Sequence, residues 1–324
     1  MQKKIRVAFI YKPNYSFLTG KHFDNTTYDF FMKALKRSNE INLEYIPRQE
    51  KINVDSFNEK FDIILIPNNF SDATPELIGV NKLKIPVISR VGDPHDEKRY
   101  GKIKFHNKFK IDYYFNFTPK EYFYKFYPKE FSYKTIIFGL EPSKFQFQNS
   151  FLHRIDDKII LTGALGKINL KSRIINRILN PSRTGWYHYR LRTICNELPY
   201  VIHNKDLKNS EFPRILSFYK AAIAATTHFP TIKYLETPAA GCLTFMEIND
   251  HNYGKYLGYE DGVNAIFINE KNYEKKLLEF LDDPKNFKWE KIANNGREYV
   301  MNKLNNNIAV SELIKIMKEL VKRN

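Results

Sequence analysis

Short, continuous apolar runs recur along the chain, each followed by a polar turn and then by a stretch with helical spacing. The first run is Ile5–Tyr11, with an amphipathic helix predicted at 28–38 and a second run at 42–46. Runs at 61–67 and 86–90 follow, with a helix predicted at 75–83 between them, then a run at 111–115 and a helix at 119–126. Apolar runs without alternation suit strands buried on both faces, and strands that alternate with helices predict a doubly wound, parallel α/β sheet. The second half repeats the theme. Strands are predicted at 158–161, 200–203, 221–225, 242–245 and 265–268, and helices at 169–179, 186–198, 211–219 and 231–240. A short helix at 251–257 and three longer ones, Tyr273–Asp282, 284–301 and 308–323, complete the pattern. The 324 residues suffice for two domains. The change of domain is expected within 146–157, which divides the chain into 1–148 and 149–324.

In open α/β sheets, ligands bind at the carboxyl ends of strands, where helix N-termini offer unpaired N–H groups. The segment 220–248 reads as strand, turn, helix, Gly241 stop and strand, and places Thr226, Thr227 and His228 at that rim. On its helix, Lys233 and Glu236 stand three apart and share a face. They are either a solvated ion pair or a ligand pair: a carboxylate accepts hydrogen bonds from a ribose diol, and a lysine holds a phosphate. Asp93, His95 and Asp96 follow the strand at 86–90. There His95 is either a general base steadied by a carboxylate or part of a helix-capping turn, and His106 is a second candidate base. The turn at 162–167 carries Gly163 and Lys167, suited to a diphosphate lying against the backbone. Arg190, beside Tyr189, serves a phosphate or is an exposed helical arginine. The loop 12–27 holds Tyr15, Thr19 and Gly20 but neither a Walker motif nor G-x-G-x-x-G.

Composition narrows the partners. The formal charge is +16 and the pI about 9.5, which favours polyanions: nucleic acid, anionic head groups or nucleotide diphosphates. Basic and aromatic residues interleave over 102–134; these rings either stack on bases and sugars, seat the protein at a membrane interface, or pack inside the first domain's end. Cys195 and Cys242 show no metal or disulfide spacing, which fits a reducing compartment. There is no D-x-D or H-E-x-x-H and no Cys/His cluster, so no metal is expected. No run approaches the roughly 18 apolar residues of a membrane span, and 7–11 is too short for a signal peptide's core.

With those residues in place, a resemblance can be stated. Lys233, Glu236 and the run Ala239-Ala240-Gly241-Cys242 resemble the nucleotide-binding segment of GT-B glycosyltransferases, most nearly the branch of group 1 enzymes and spore-maturation proteins of the CgeB type. The run 135–145, with Gly139, Glu141, Pro142 and Phe145, resembles the close of the N-domain in that fold. So does the acidic-Gly turn, strand and "LLDDP" helices of the tail. The resemblance implies a GT-B architecture: two Rossmann-like doubly wound domains facing across a cleft, acceptor in the first and nucleotide-sugar in the second. In that fold the last helix often returns to the N-domain. The family pairs two glutamates eight apart; the second falls at Glu236, the first at His228, where this chain departs from the pattern. The resemblance also implies metal-independent transfer, with Lys233, Arg190 and Lys167 holding the diphosphate and Tyr15 and Gly20 on the acceptor side. The expected partners are therefore a nucleotide-sugar and a hydroxyl acceptor, and the basic, aromatic surface points to an anionic glycan or lipid-linked acceptor such as a surface-polysaccharide precursor. The expected location is cytoplasmic and peripheral at the inner face of an anionic membrane. A DNA-glycosylating or nucleic-acid-binding protein, and a silent glycan-binding relative, are the rival readings.

Overall fold

The computed structural model describes residues 4–147, 149–166, 169–179, 188–204 and 211–323. The chain divides into two compact units, residues 1–139 with 306–324, and residues 140–305. The strands are β1 (Ile5–Tyr11), β2 (Ile41–Pro47), β3 (Lys51–Asn53), β4 (Ile63–Ile66), β5 (Glu76–Ile78), β6 (Val87–Arg90), β7 (Tyr113–Asn116) and β8 (Tyr133–Thr135) in the first unit. In the second they are β9 (Ile155–Thr162), β10 (Val201–Asn204), β11 (Tyr219–Ala224), β12 (Leu243–Glu247) and β13 (Ile266–Ile268).

Unit 1 is a six-stranded parallel sheet in the order β2-β1-β4-β6-β7-β8. The lack of alternation in its central strands has a direct cause, because both faces are covered. Val7, Phe9, Ile63 and Leu65 point into one apolar cluster, and Ala8, Ile10, Ile64 and Ile66 into another. The first face is closed by the helical run at 26–37, through Phe30, Phe31, Ala34 and Leu35, and by the final helix Asn306–Arg323, through Ala309, Val310, Leu313, Ile314 and Met317. Asn306 ties that helix in by accepting a hydrogen bond from Gly139 N at 2.7 Å.

Two local expectations give way. Residues 75–83 are not a helix: Glu76–Ile78 pairs with β3 as a separate two-stranded ribbon, and Gly79, at φ +83°, breaks the chain before a single 3-10 turn. The run 135–145, which resembles the N-domain close with its apolar strand, contributes only Thr135 to a strand, the end of β8, yet Ile136 and Phe138 remain buried in the core. The rings of 102–134 are largely interior. Phe105, Phe109, Tyr114, Phe123, Tyr127 and Tyr133 fill the second face of the unit 1 sheet, with Phe123 stacked on Tyr133 at 4.0 Å.

Unit 2 is a five-stranded parallel sheet in the order β10-β9-β11-β12-β13. One face packs on the helices Tyr273–Asp282 and Phe287–Lys303 through Leu277, Phe280, Trp289 and Ile292. In both units the first strand has the second on one side and the third of the main sheet on the other, so the winding reverses beside it. That reversal opens a crevice at the carboxyl edge, between β1 and β4 in unit 1 and between β9 and β11 in unit 2.

Candidate functional site

The chain leaves β9 at Gly163, whose φ of +90° lies in the left-handed region that glycine tolerates. A Cβ there would sit 2.8 Å from Arg192 Nη1 and 3.6 Å from Lys233 Cε, so this glycine is where two cations approach the backbone. Arg192, on the short Arg190–Cys195 helix, is 2% exposed. Its Nη1 donates to Ala164 O at 3.2 Å and its guanidinium lies 4.8 Å from the Tyr189 ring centre. Its Nε and Nη2 have no hydrogen-bond partner among the described residues. Burial lowers its pKa, the mark of a cation held in a poorly solvated place. The turn is braced from two sides: Gly166 N donates to Thr193 Oγ1 at 2.8 Å, and His203 Nε2 lies 2.8 Å from Gly163 O.

Lys233 and Glu236 come from the next element. Their side chains meet at 2.7 Å, both largely shielded, with the lysine 3.7 Å above the Phe212 ring. The Lys233–Ala239 helix is anchored at its C-terminal end and through Tyr234. Arg154 donates to Ala240 O and Gly241 O, and Arg297 donates to Ala239 O, so the carbonyls at its C-terminal end are satisfied by arginines. Tyr234 OH donates to Glu247 O at 2.8 Å and Tyr259 OH to Tyr234 O at 2.6 Å. At the end of β12, burial pushes the Glu247 carboxyl up to about 7, with Glu270 adding to the rise and Arg192 opposing it. Glu247 Oε2 also has no partner among the described residues.

The other rim positions of unit 2 separate. Thr226 is committed to the fold: its Oγ1 donates to Phe229 O at 2.7 Å. Thr227 sits beside it on the rim, with Oγ1 buried and unpartnered among the described residues. The His228 ring packs 5.5 Å from His188 and 6.3 Å from His251. Arg190 turns to Glu270, 3.0 Å away and half exposed. Lys167 lies outside the described residues. Arg192 was missed in the sequence because nothing in the order of residues distinguishes it from Arg190. The one available signal was that two residues along a helix reverse the side that faces the sheet.

In unit 1, the carboxyl edge gathers a different set. Asp93, His95 and Asp96 share one turn after β6, opened by Pro94. His95 Nδ1 lies 3.1 Å from Tyr122 OH, and Asp96 Oδ2 lies 3.8 Å from the buried Lys102 Nζ. Gly92, between them and the strand, donates to Asn68 Oδ1 at 3.1 Å, while Asn116 Nδ2 donates to Gly92 O at 3.0 Å. Tyr15 is buried within reach of the same amide: Asn68 Nδ2 donates to its OH at 3.5 Å. Thr19 closes the preceding turn on Ser16 O, and Gly20, at φ +73°, backs onto the Tyr28 ring. His106 is placed for packing, stacked 3.8 Å from Phe131, with its pKa lowered by burial. Among the described residues no three His, Cys, Asp or Glu side chains gather as a metal site, and no helix is long and apolar enough to cross a membrane.

Known structures share this architecture across nearly the whole chain. HepE from Anabaena, solved with UDP-glucose, superposes with a TM-score of 0.60 at 10% identity, over 97% of this chain and 100% of that one. An alpha-glucosyltransferase solved with UDP and a 13-mer DNA containing a central A:G mismatch gives 0.59 at 10%, over 98% and 100%. The alpha-glucosyltransferase AGT with UDP gives 0.59 at 12%, over 97% and 100%.

The fold is GT-B.

No protein-family model matches the sequence, and no curated protein matches it either. At such identities the likeness is one of GT-B architecture, and the side chains at the two carboxyl edges are this chain's own.

Proposed function

We propose that the chain is a glycosyltransferase that takes a uridine diphosphate sugar in unit 2 and passes the sugar to an acceptor hydroxyl. The observation that carries this reading is the convergence of Arg192 and Lys233 on Gly163, at the switch-point crevice of the unit 2 sheet. A diphosphate against a glycine turn meets two cations there, one of them with unpartnered donors. Glu236, held on the same helix face as Lys233, accepts from the ribose hydroxyls. As the sugar–phosphate bond breaks, negative charge grows on the leaving diphosphate, and pre-placed cations in a shielded site stabilise it without a metal. Thr227 and His228 are assigned to the sugar.

The acceptor role is assigned to unit 1. There His95, steadied by Tyr122, takes the proton of the attacking hydroxyl, with Asp93 and Asp96 on the same turn. Tyr15 and Gly20 border that edge. The side-chain amides of Asn68 and Asn116 beside Gly92 suit hydrogen bonding to a polyhydroxylated acceptor such as a glycan or a lipid-linked precursor. The spacing of Lys233 and Glu236 supports a place near the group 1 and CgeB-like branch.

A thermal-shift series with UDP, GDP, CMP, ADP and their sugars tests the reading on wild type and Glu236→Ala. A nucleotide at 100 times its Kd adds about 2.7 kcal/mol of stability. UDP stabilising wild type but not the variant supports the donor site; no shift with any nucleotide overturns it. The second reading, a DNA-modifying transferase, draws on the +16 charge. It requires duplex DNA binding that weakens steeply with salt.

A further inference from the structure

Among the described residues of unit 2, the Leu170–Leu179 helix carries an ordered run of exposed apolar side chains. Leu170, Ile174 and Ile178 recur at the i, i+4, i+8 spacing of a single helical stripe and are 65%, 53% and 72% exposed, with Ile175 beside them at 45%. Other large exposed apolar side chains, such as Phe23 and Phe287, are not part of such a stripe. Isolated surface apolar residues need no explanation, but an ordered stripe marks a surface that is covered in use.

Charge names the cover. Within 169–179 the sequence carries Lys171, Arg173 and Arg177 and no Asp or Glu, in a chain of net charge +16. On the helix itself Lys171 is exposed and Arg173 half-buried. A stripe of isoleucine and leucine with cations along it is the make-up of a helix that lies flat at a lipid surface: apolar side chains enter the acyl boundary while lysine and arginine reach head-group phosphates. Each cation near an anionic leaflet adds attraction that salt screens. The aromatic stretch at 102–134, which on sequence competed for this role, is largely spent on the unit 1 core.

We infer that the Leu170–Leu179 helix is a peripheral docking element that seats unit 2 on an anionic phospholipid surface. This does not depend on the transferase reading, since a lipid surface is bound whether or not a nucleotide is.

The test is sedimentation of the full chain with phosphatidylcholine vesicles, with and without phosphatidylglycerol, for wild type and the double variant Ile174→Glu/Ile178→Glu. The wild type is expected to pellet with the anionic vesicles alone and to be released severalfold as salt is raised. The variant is expected to bind about tenfold more weakly or worse, because two apolar anchors become anions. Both positions are exposed, so its thermal midpoint and its response to UDP should equal those of wild type, which separates lost docking from lost folding or lost donor binding. Wild type left in the supernatant, equal binding by the variant, or equal binding to neutral vesicles overturns the inference. So does a concentration-dependent dimer that the variant abolishes, which would assign the stripe to a second copy of the chain.

Discussion

The two sheets end in the same device put to different ends. In unit 1, a Cβ on Gly92 would come within 3.1 Å of Lys102 Nζ; in unit 2, a Cβ on Gly163 would come within 2.8 Å of Arg192 Nη1. Each glycine, just past a strand, leaves room for a buried cation. The difference lies in what answers that charge. Lys102 faces Asp96 at 3.8 Å, its Nζ and the Asn68 amide both close on Gly92, and its backbone carbonyl accepts from Asn69 Nδ2. Arg192 has a backbone carbonyl, a ring face and two unpartnered donors, and the nearby acid, Glu247, is pushed toward neutrality by burial. The unit 1 lysine faces a carboxylate, whereas two donors of Arg192 have no partner among the described residues. A buried charge without a partner is costly, so a site that maintains one is suited to an anion supplied from outside.

If unit 1 carries the proton transfer and unit 2 the nucleotide, His95→Ala should lower turnover by about 10²- to 10⁴-fold while leaving the UDP-induced thermal shift intact. Loss of the shift in that variant would break the division of labour. Arg192→Met should weaken UDP binding by about 2–5 kcal/mol, read by calorimetry, with partial recovery in Arg192→Lys. Binding unchanged in the methionine variant would remove the unpartnered donors from the account.

The third test uses pH. Burial raises the Glu247 carboxyl to about 7 from 4.5, so the folded protein holds that proton more tightly than the unfolded chain. The stability this contributes is full below the unfolded value and is lost as pH rises through about 7, on the order of 3 kcal/mol. Urea midpoints measured across that window should decline for wild type, and Glu247→Gln should flatten the decline. Smallest is the glycine pair. Gly163→Ala meets both a positive φ and a guanidinium and should cost about 1–3 kcal/mol. Gly92→Ala, at ordinary φ and meeting only the ends of the Asn68 and Lys102 side chains at 3.1 Å, should cost less, about 1 kcal/mol. Equal costs would show that the two glycines are alike.

Much of the site is legible at the level of single elements. The run 220–248 announces strand, helix, glycine stop and strand because each is a local pattern, and the three-residue spacing puts Lys233 and Glu236 on one face wherever the helix lies. Gly163 follows a strand visibly. Arg192 does not stand out, since only the packing of its helix against the sheet decides that it turns inward while Arg190 turns to Glu270. The same limit applies to 75–83, where a ribbon partner at 51–53 outweighs local helical spacing.

The order of residues by itself determined most of the strands, their burial on both faces and hence the doubly wound parallel α/β class, because continuous apolar runs and their breaks are encoded within a few neighbouring positions, while the GT-B expectation came from the resemblance carried by 135–145 and 233–242. Tertiary structure decided which side chains meet. It consumed most of the aromatic residues of 102–134 in a core, joined residues 306–324 to the first unit's sheet, and left the stripe of the Leu170–Leu179 helix in the open. Those outcomes depend on surfaces that segments distant in sequence contribute, such as the strands that the 102–134 rings cover, and a local window does not contain them.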